Sequence, residues 1–170
     1  MRTSIAGQGE NLICSSRQLE ANDMTSRDAE WGVLAFLKSY GRAFEAFDTD
    51  AILTHFLFPC HIVSDAEAVS LVPLANASEA RVGVERVLAL HRELGVQTGR
   101  ILDLDVIELS PRMAALVLRY EFSDAAGRSL YDFQGIYTLV KVDRRYRIAA
   151  ISHNQIPRLV GRVEERRAPP

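Results

Sequence analysis

WGVLAFLKSYGRAFEAFDTDAILTHFLFPCHIVSD, residues Trp31 to Asp65, is the stretch from which the rest of the chain is read. Val33, Leu37, Tyr40, Phe44 and Phe47 recur at alternating steps of four and three, which draws one apolar stripe down an α-helix. Lys38, Arg42 and Glu45 mark its opposite, wet face. The stripe predicts a helix ending near Phe47, capped by Thr25 or Ser26, with Asp28 and Glu30 where acidic groups favour the helix dipole. After the turn at Asp48-Thr49-Asp50, Asp50 caps a second short helix carrying Ile52, Leu53, Phe56 and Leu57, and Pro59, lacking an amide proton, stops it. Cys60 to Ser64 reads as a strand, Ser64-Asp65-Ala66-Glu67 as a hairpin turn and Ala68 to Val72 as the returning strand.

Downstream, Asn76 or Ser78 caps a third helix with Val84, Val87, Leu88, His91 and Leu94 along its buried stripe, and Gly95 stops it. The chain then turns to β structure. Arg100 to Leu109, Met113 to Phe122, Ser129 to Val142 and Tyr146 to Gln155 alternate as strands, punctuated by Ser110-Pro111, Asp124 to Gly127 and Asp143 to Arg145. Residues 1–24 carry no sustained periodicity and read as a mobile arm, residues 25–157 as one domain, and residues 158–170, with Glu164-Glu165-Arg166-Arg167 and two final prolines, as a flexible tail.

A chain of 170 residues, 48% hydrophobic and 25% charged, is long enough for one domain with a sizeable core. Its net charge of -2 and pI near 6.1 argue against nucleic-acid binding, which concentrates basic charge on one face. No apolar run approaches a membrane span, and Gln8, Gly9, Glu10 and Asn11 interrupt any leader-like segment, so a soluble cytoplasmic protein is expected, with no membrane partner. Cys14 and Cys60 differ in expected burial, and a structural disulfide is not expected. The histidines lack two-ligand metal spacing, and neither a phosphate loop nor a nucleophile elbow appears, so no metal and no cofactor are called for.

Strand alternation also assigns faces, because hairpin partners share one. A turn at Pro111 pairs Asp103 with Arg119 and Leu104 with Leu118, and a turn between Ala125 and Ala126 sets Arg119 opposite Asp132 and Tyr120 opposite Tyr131. Arg119 then lies between two carboxylates, while Leu102, Leu104, Leu118, Tyr120, Tyr131 and Phe133 share the other face. Gly135, inside a long strand, suggests a bulge that could exchange the faces beyond it.

Three helices, two short strands and a four-stranded meander over Asp28 to Pro157 resemble the nuclear transport factor 2-like superfamily, with its SnoaL-like polyketide cyclases and ketosteroid isomerases. Tyr40-Gly-Arg-Ala-Phe44-Glu-Ala-Phe-Asp48, Ile52, Phe56 and the strand after Pro59 carry the likeness. The resemblance implies an α+β, cystatin-like cone: a curved antiparallel sheet packed on the helices, an apolar pocket at its open end and often a homodimer through the sheet's outer face. In the isomerase branch a first-helix tyrosine donates to an oxyanion, an aspartate after the second helix moves the proton and a protonated aspartate on a late strand assists. Tyr40 matches the tyrosine, but the base position falls on Ser64, with Asp65 one residue late, and the second acid's position falls on Thr138. Steroid isomerisation is therefore not expected.

Tyr40, at mid-stripe, is either a core phenol bonded to backbone or a donor facing a ligand. Asp65 is either a hairpin residue or a general base at the pocket rim, and His61 either exchanges protons or hydrogen-bonds there. His91 reads as a satisfied core histidine, His153 lies in a polar cluster with Asn154 and Gln155, His55 has no visible partner, and Arg119 reads first as an ion-pair residue. Phe36, Tyr40, Phe44, His61, Tyr120 and His153 are the expected pocket lining. One functional expectation is cofactor-free acid/base chemistry, such as isomerisation, cyclisation or dehydration of a small apolar molecule, with Tyr40, His61 and Asp65 as catalytic groups. The others are a non-catalytic small-ligand-binding module and a dimerisation domain.

Overall fold

The structure, a computed structural model, describes residues 32–65 and 68–167. Helix α1 covers residues 32–45. It is followed by α2 (Thr49–Leu53), β1 (Phe56–Asp65), β2 (Val69–Leu74), α3 (Ala77–Leu94), β3 (Thr98–Ser110), β4 (Met113–Ser123), β5 (Ser129–Val142), β6 (Arg145–His153) and α4 (Gln155–Arg167). The six strands form one curved sheet in the order β2-β1-β6-β5-β4-β3. All neighbours are antiparallel except β1 and β6, which run parallel. The expected α+β architecture is the one observed. The expected arm, the first helix's cap and Cys14 lie outside the described residues.

The α1 stripe packs as its spacing predicts, with Val33, Phe36 and Ala43 buried and Leu37, Tyr40, Phe44 and Phe47 packed beside them. The helix stops two residues early because Phe47 takes the left-handed conformation (φ 52°), closing a Schellman-type end in which the Asp48 amide donates to the Ala43 carbonyl and the Phe47 amide to Phe44. Asp48, not Asp50, then caps α2, its carboxylate accepting from the Ala51 amide at 2.9 Å. With the cap two residues earlier the helix also ends earlier, and Phe56 and Leu57 open β1 instead of closing α2. Pro59 lies inside that strand, after a cis peptide bond. Asn76 caps α3, and Gly95, at φ 82°, ends it.

The β3–β4 pairing has the expected register from Asp103–Arg119 onward, with a bulge at Leu102. The β4–β5 register is two residues off the expected one: Tyr120 faces Phe133, Phe122 faces Tyr131 and Arg119 faces Gln134, because the connection carries an irregularity beside Ser123. A shift of two keeps every side chain on its expected face. No bulge occurs at Gly135; alternation continues through it, and the irregularity falls instead between Thr138 and Leu139 on the β6 side. A Cβ at Gly135 would lie 3.1 Å from the Tyr137 ring, so the glycine relieves crowding between inner aromatics.

The largest departure is α4, where a flexible tail was expected from residue 158. Leu159 and Val163, four apart, are buried on one side of it, while its charges point to solvent and across to α3: Arg167 pairs with Glu93, and Arg166 donates to the Glu93 and Leu94 carbonyls at the end of α3. Ile156, Leu159, Val160 and Val163 stand at helical spacing, but Pro157 and Gly161 inside so short a run mask the stripe in the sequence. The last three residues fall outside the described part.

Candidate functional site

The sheet has an inner face toward the helices and an outer face without any described element on it. Along β5 the inner residues Tyr131, Phe133, Tyr137 and Leu139 are buried, while Gln134 and Ile136 are exposed. Along β1 Cys60 is a buried free thiol and His61, one residue on, is exposed. The expected site residues therefore divide. Phe36, Tyr40, Phe44 and Tyr120 gather on the inside, His61 and Asp65 stand on the outside, and His153 sits at the seam, its ring 6.5 Å from that of Phe133 and its Nδ1 accepting from the Gln155 amide. Tyr40 is not brought together with either proposed base.

Inside, the Tyr40 ring stacks on Phe36 at 5.6 Å, meets Phe44 edge-on at 5.1 Å and lies 5.3 Å from His55. Burial, reinforced by Tyr137, Cys60 and Tyr120, pushes its phenol well above the usual tyrosine range, so it is a hydrogen-bond donor and not an anion. His55 has partners that sequence gave no sign of: its Nδ1 lies 2.8 Å from the Ala51 carbonyl, which can only accept, so Nδ1 carries the proton and Nε2 accepts from the Ser39 hydroxyl at 2.7 Å.

His91, on the inner side of α3, is a buried titratable group, 1% exposed. Its Nε2 lies 2.5 Å from the Tyr131 hydroxyl, which also accepts from the Gln155 side chain at 3.3 Å. The phenol's proton is thus free to be given to the imidazole. Burial lowers the His91 pKa to about 4 and raises that of Tyr131, which keeps both neutral. Gly41, Phe44, His91, Gly99, Tyr120 and Phe122 border a cleft at this end of α1 of only about 10 Å³, the room one water needs. Tyr120 closes it by lying on Gly99, where a Cβ would come within 2.4 Å of its ring. Aromatic rings line this cleft on the inner side of the sheet.

The roomier concavity, about 430 Å³, is on the outer face. Its floor is Val63, Val117 and Ile136, and its walls include Asp65, Asp103, Asp105, Arg119, Gln134 and Asn154. Arg119 does meet Asp132, diagonally across the strands at 2.6 Å, and Arg158 reaches the same carboxylate at 2.9 Å. Arg119 beside it holds the Asp132 carboxyl below its ordinary range. Among the described residues no group of His, Cys, Asp or Glu side chains is placed to hold a metal, and no helix is long and apolar enough to cross a membrane.

Residues 28–155 match the model of a family described as NTF2-like protein (DUF6841). The chain belongs to this family. Solved NTF2-like structures agree. An NTF2-like protein of unknown function from Shewanella oneidensis MR-1 superposes with a TM-score of 0.60 at 15% identity, over 75% of this chain and 99% of that one. An NTF2-like protein with a cystatin-like fold from Novosphingobium aromaticivorans gives 0.62 at 11% identity, over 85% and 92%. A ketosteroid isomerase-like protein from Erwinia carotovora atroseptica gives 0.52 at 16% identity, over 74% and 94%. At these identities the likeness is one of fold. Among curated proteins none matches the chain.

Proposed function

We propose that this NTF2-like chain is a non-catalytic assembly domain that works as a homodimer closed through the outer face of its sheet. One observation carries the reading: six exposed large apolar side chains, Val69, Leu71, Ile107, Met113, Val117 and Ile136, share that face, spread over β2, β3, β4 and β5, while others such as Leu34, Val72, Val82 and Val106 lie elsewhere. A sheet whose second face meets water is ordinarily polar there, and an apolar surface of this extent marks an interaction site. The acid/base reading has less support, since the backbone of the sheet separates Tyr40 from His61 and Asp65, and the cleft beside Tyr120 has room for about one water.

Sedimentation equilibrium on the purified chain tests the proposal. A dimer is expected, and Ile136→Asp and Val117→Asp should each convert it to monomer with unchanged far-ultraviolet circular dichroism, because a desolvated carboxylate in an apolar seam is costly. A monomeric parent protein, or a dimer indifferent to both substitutions, overturns it.

A further inference from the structure

The run KVDRRYR, Lys141 to Arg147, sets four basic side chains within seven residues, and the fold adds a fifth. Asp143 and Arg144, both left-handed (φ 49° and 63°), make the tight turn from β5 to β6. The β3–β4 turn at Ser110-Pro111-Arg112 lies at the same end of the sheet, because Met113 pairs with Val140 and the Lys141 amide donates to the Arg112 carbonyl at 2.8 Å. Arg112, Lys141, Arg144, Arg145 and Arg147 therefore gather around two adjacent turns, with Glu108 and Asp143 as the carboxylates there. Elsewhere guanidinium groups are matched inside the chain: Arg100, Arg119, Arg128, Arg158 and Arg167 each meet a carboxylate. Among the described residues none of the five cations at this end does. Apolar side chains stand beside them. Leu109, 58% exposed, is the extra residue of a bulge in β3 next to the turn, and Pro111 is exposed at its tip. Asp65, Asp103 and Asp105 lie toward the opposite end of the strands, so the sheet is polarised along its strand direction.

We propose that this end of the sheet is a peripheral docking surface for a bilayer rich in anionic phospholipid, with Arg112, Arg144 and Arg145 at the lipid phosphates and Leu109 and Pro111 in the interface. Each basic side chain held near such a surface strengthens binding about fivefold. Lys141, its ammonium 5.6 Å from the centre of the Tyr146 ring, and Arg147 add to the attraction from behind the turns. The same field repels the aspartates at the far end, so the chain meets the surface turns first. The apolar members select a bilayer over other polyanions, because a headgroup region takes up apolar side chains set among cations. A single-stranded nucleic acid would instead stack its bases on exposed aromatic rings, and among the described residues every Phe and Tyr is at least partly buried. Binding at the surface needs no membrane-spanning helix. The proposal goes beyond the dimer reading and does not depend on it.

Vesicle flotation of the full chain is the test, with vesicles of phosphatidylcholine alone and of an equimolar mixture of phosphatidylcholine and phosphatidylserine. Binding to the mixed vesicles only is expected, weakening as salt is raised. Arg112→Gln and Arg144→Gln should each weaken it about fivefold, and together about 25-fold. Arg86→Gln removes the same charge from an exposed position on α3 and should change binding by less than about twofold, since screening confines the attraction to the docked end. Leu109→Ser should weaken binding about fivefold or more while leaving its salt dependence in place, which separates insertion from charge attraction. Melting temperatures show that each variant is folded. Absent binding, equal binding to both kinds of vesicle, or an Arg86→Gln loss as large as that of Arg112→Gln overturns the proposal. So does a chain that leaves the mixed vesicles unbound but binds heparin through Arg112 and Arg144, which would assign the surface to a soluble polyanion.

Discussion

Leu139 and Ile136 sit three residues apart on β5, the first fully enclosed and the second 47% exposed, and the contrast repeats on every central strand. Leu116 and Leu118 are inside, Val117 between them is outside. The inner face meets its partners within the chain: α1, α3 and α4 press on it, and the aromatic rings of Phe122, Tyr131 and Phe133 stack at 5.1 to 6.1 Å. The outer face also carries large apolar side chains, and among the described residues no element covers it. The same apolar side chain is therefore worth very different amounts to the folded monomer, according to the parity of its position. Leu116→Ala should lose about 2–5 kcal/mol of stability, as for deletion of buried methylenes that leave a cavity. Ile136→Ala, measured by urea unfolding at concentrations dilute enough to hold the chain monomeric, should stay within about 0.5 kcal/mol of the parent. Equal losses would mean that the outer face is already covered in the monomer.

His91 lets the inner face be probed by pH. Its pKa of about 4 in the folded chain lies below the ordinary histidine value, so the unfolded chain takes up a proton first as the pH falls. Its contribution is complete above about pH 6.5 and is lost progressively between there and pH 4, amounting to roughly 3 kcal/mol for a shift of this size. The lowered carboxyl pKa values of Glu121, Asp124 and Asp132 act in the same direction, but only below their ordinary ranges, so the two windows are distinct. His91→Gln, which can still accept from Tyr131, should flatten the unfolding free energy between pH 6.5 and 4 and leave the lower limb in place. An unchanged profile would show that the imidazole is hydrated in the folded state.

Period and punctuation made most of the architecture readable in advance. The α1 stripe, Asn76 and Gly95 around α3, and the turn at Pro111 each act through a local rule, and each element formed where the rule placed it. What was illegible depended on contacts distant in sequence. Phe47 takes a left-handed conformation with Arg92 over its ring at 4.8 Å, and nothing near it in sequence announces this. The helix at Gln155–Arg167 is tied to the end of α3 through Glu93, more than seventy residues away. The candidate site was legible in its members and not in its grouping. Helical and strand spacing locate Tyr40, Phe36, Phe44 and Tyr120, but the sequence expectation places His61 in the same lining, whereas alternation beside buried Cys60 sends its ring to the other face. His55 and the Tyr131 partner of His91 left no local signal.

Gly99 and Gly41 border the cleft from opposite sides of Tyr120 and should respond to the same substitution with opposite signs. A Cβ at Gly99 would stand 2.4 Å from the Tyr120 ring and 3.0 Å from its hydroxyl and from Phe122, so Gly99→Ala must displace a half-buried ring and should cost about 1–3 kcal/mol. Gly41 lies inside α1, and a Cβ there meets only the Tyr120 hydroxyl at 3.5 Å, an ordinary contact. Alanine in a helix interior avoids glycine's backbone entropy, so Gly41→Ala should stabilise by roughly 0.5–1 kcal/mol. Combining Gly99→Ala with Tyr120→Leu, which shortens the blocking ring, should cost less than the two single losses added. If Gly41→Ala destabilises instead, the space between α1 and Tyr120 is already occupied, and the cleft beside His91 is closed more tightly than its 10 Å³ suggests.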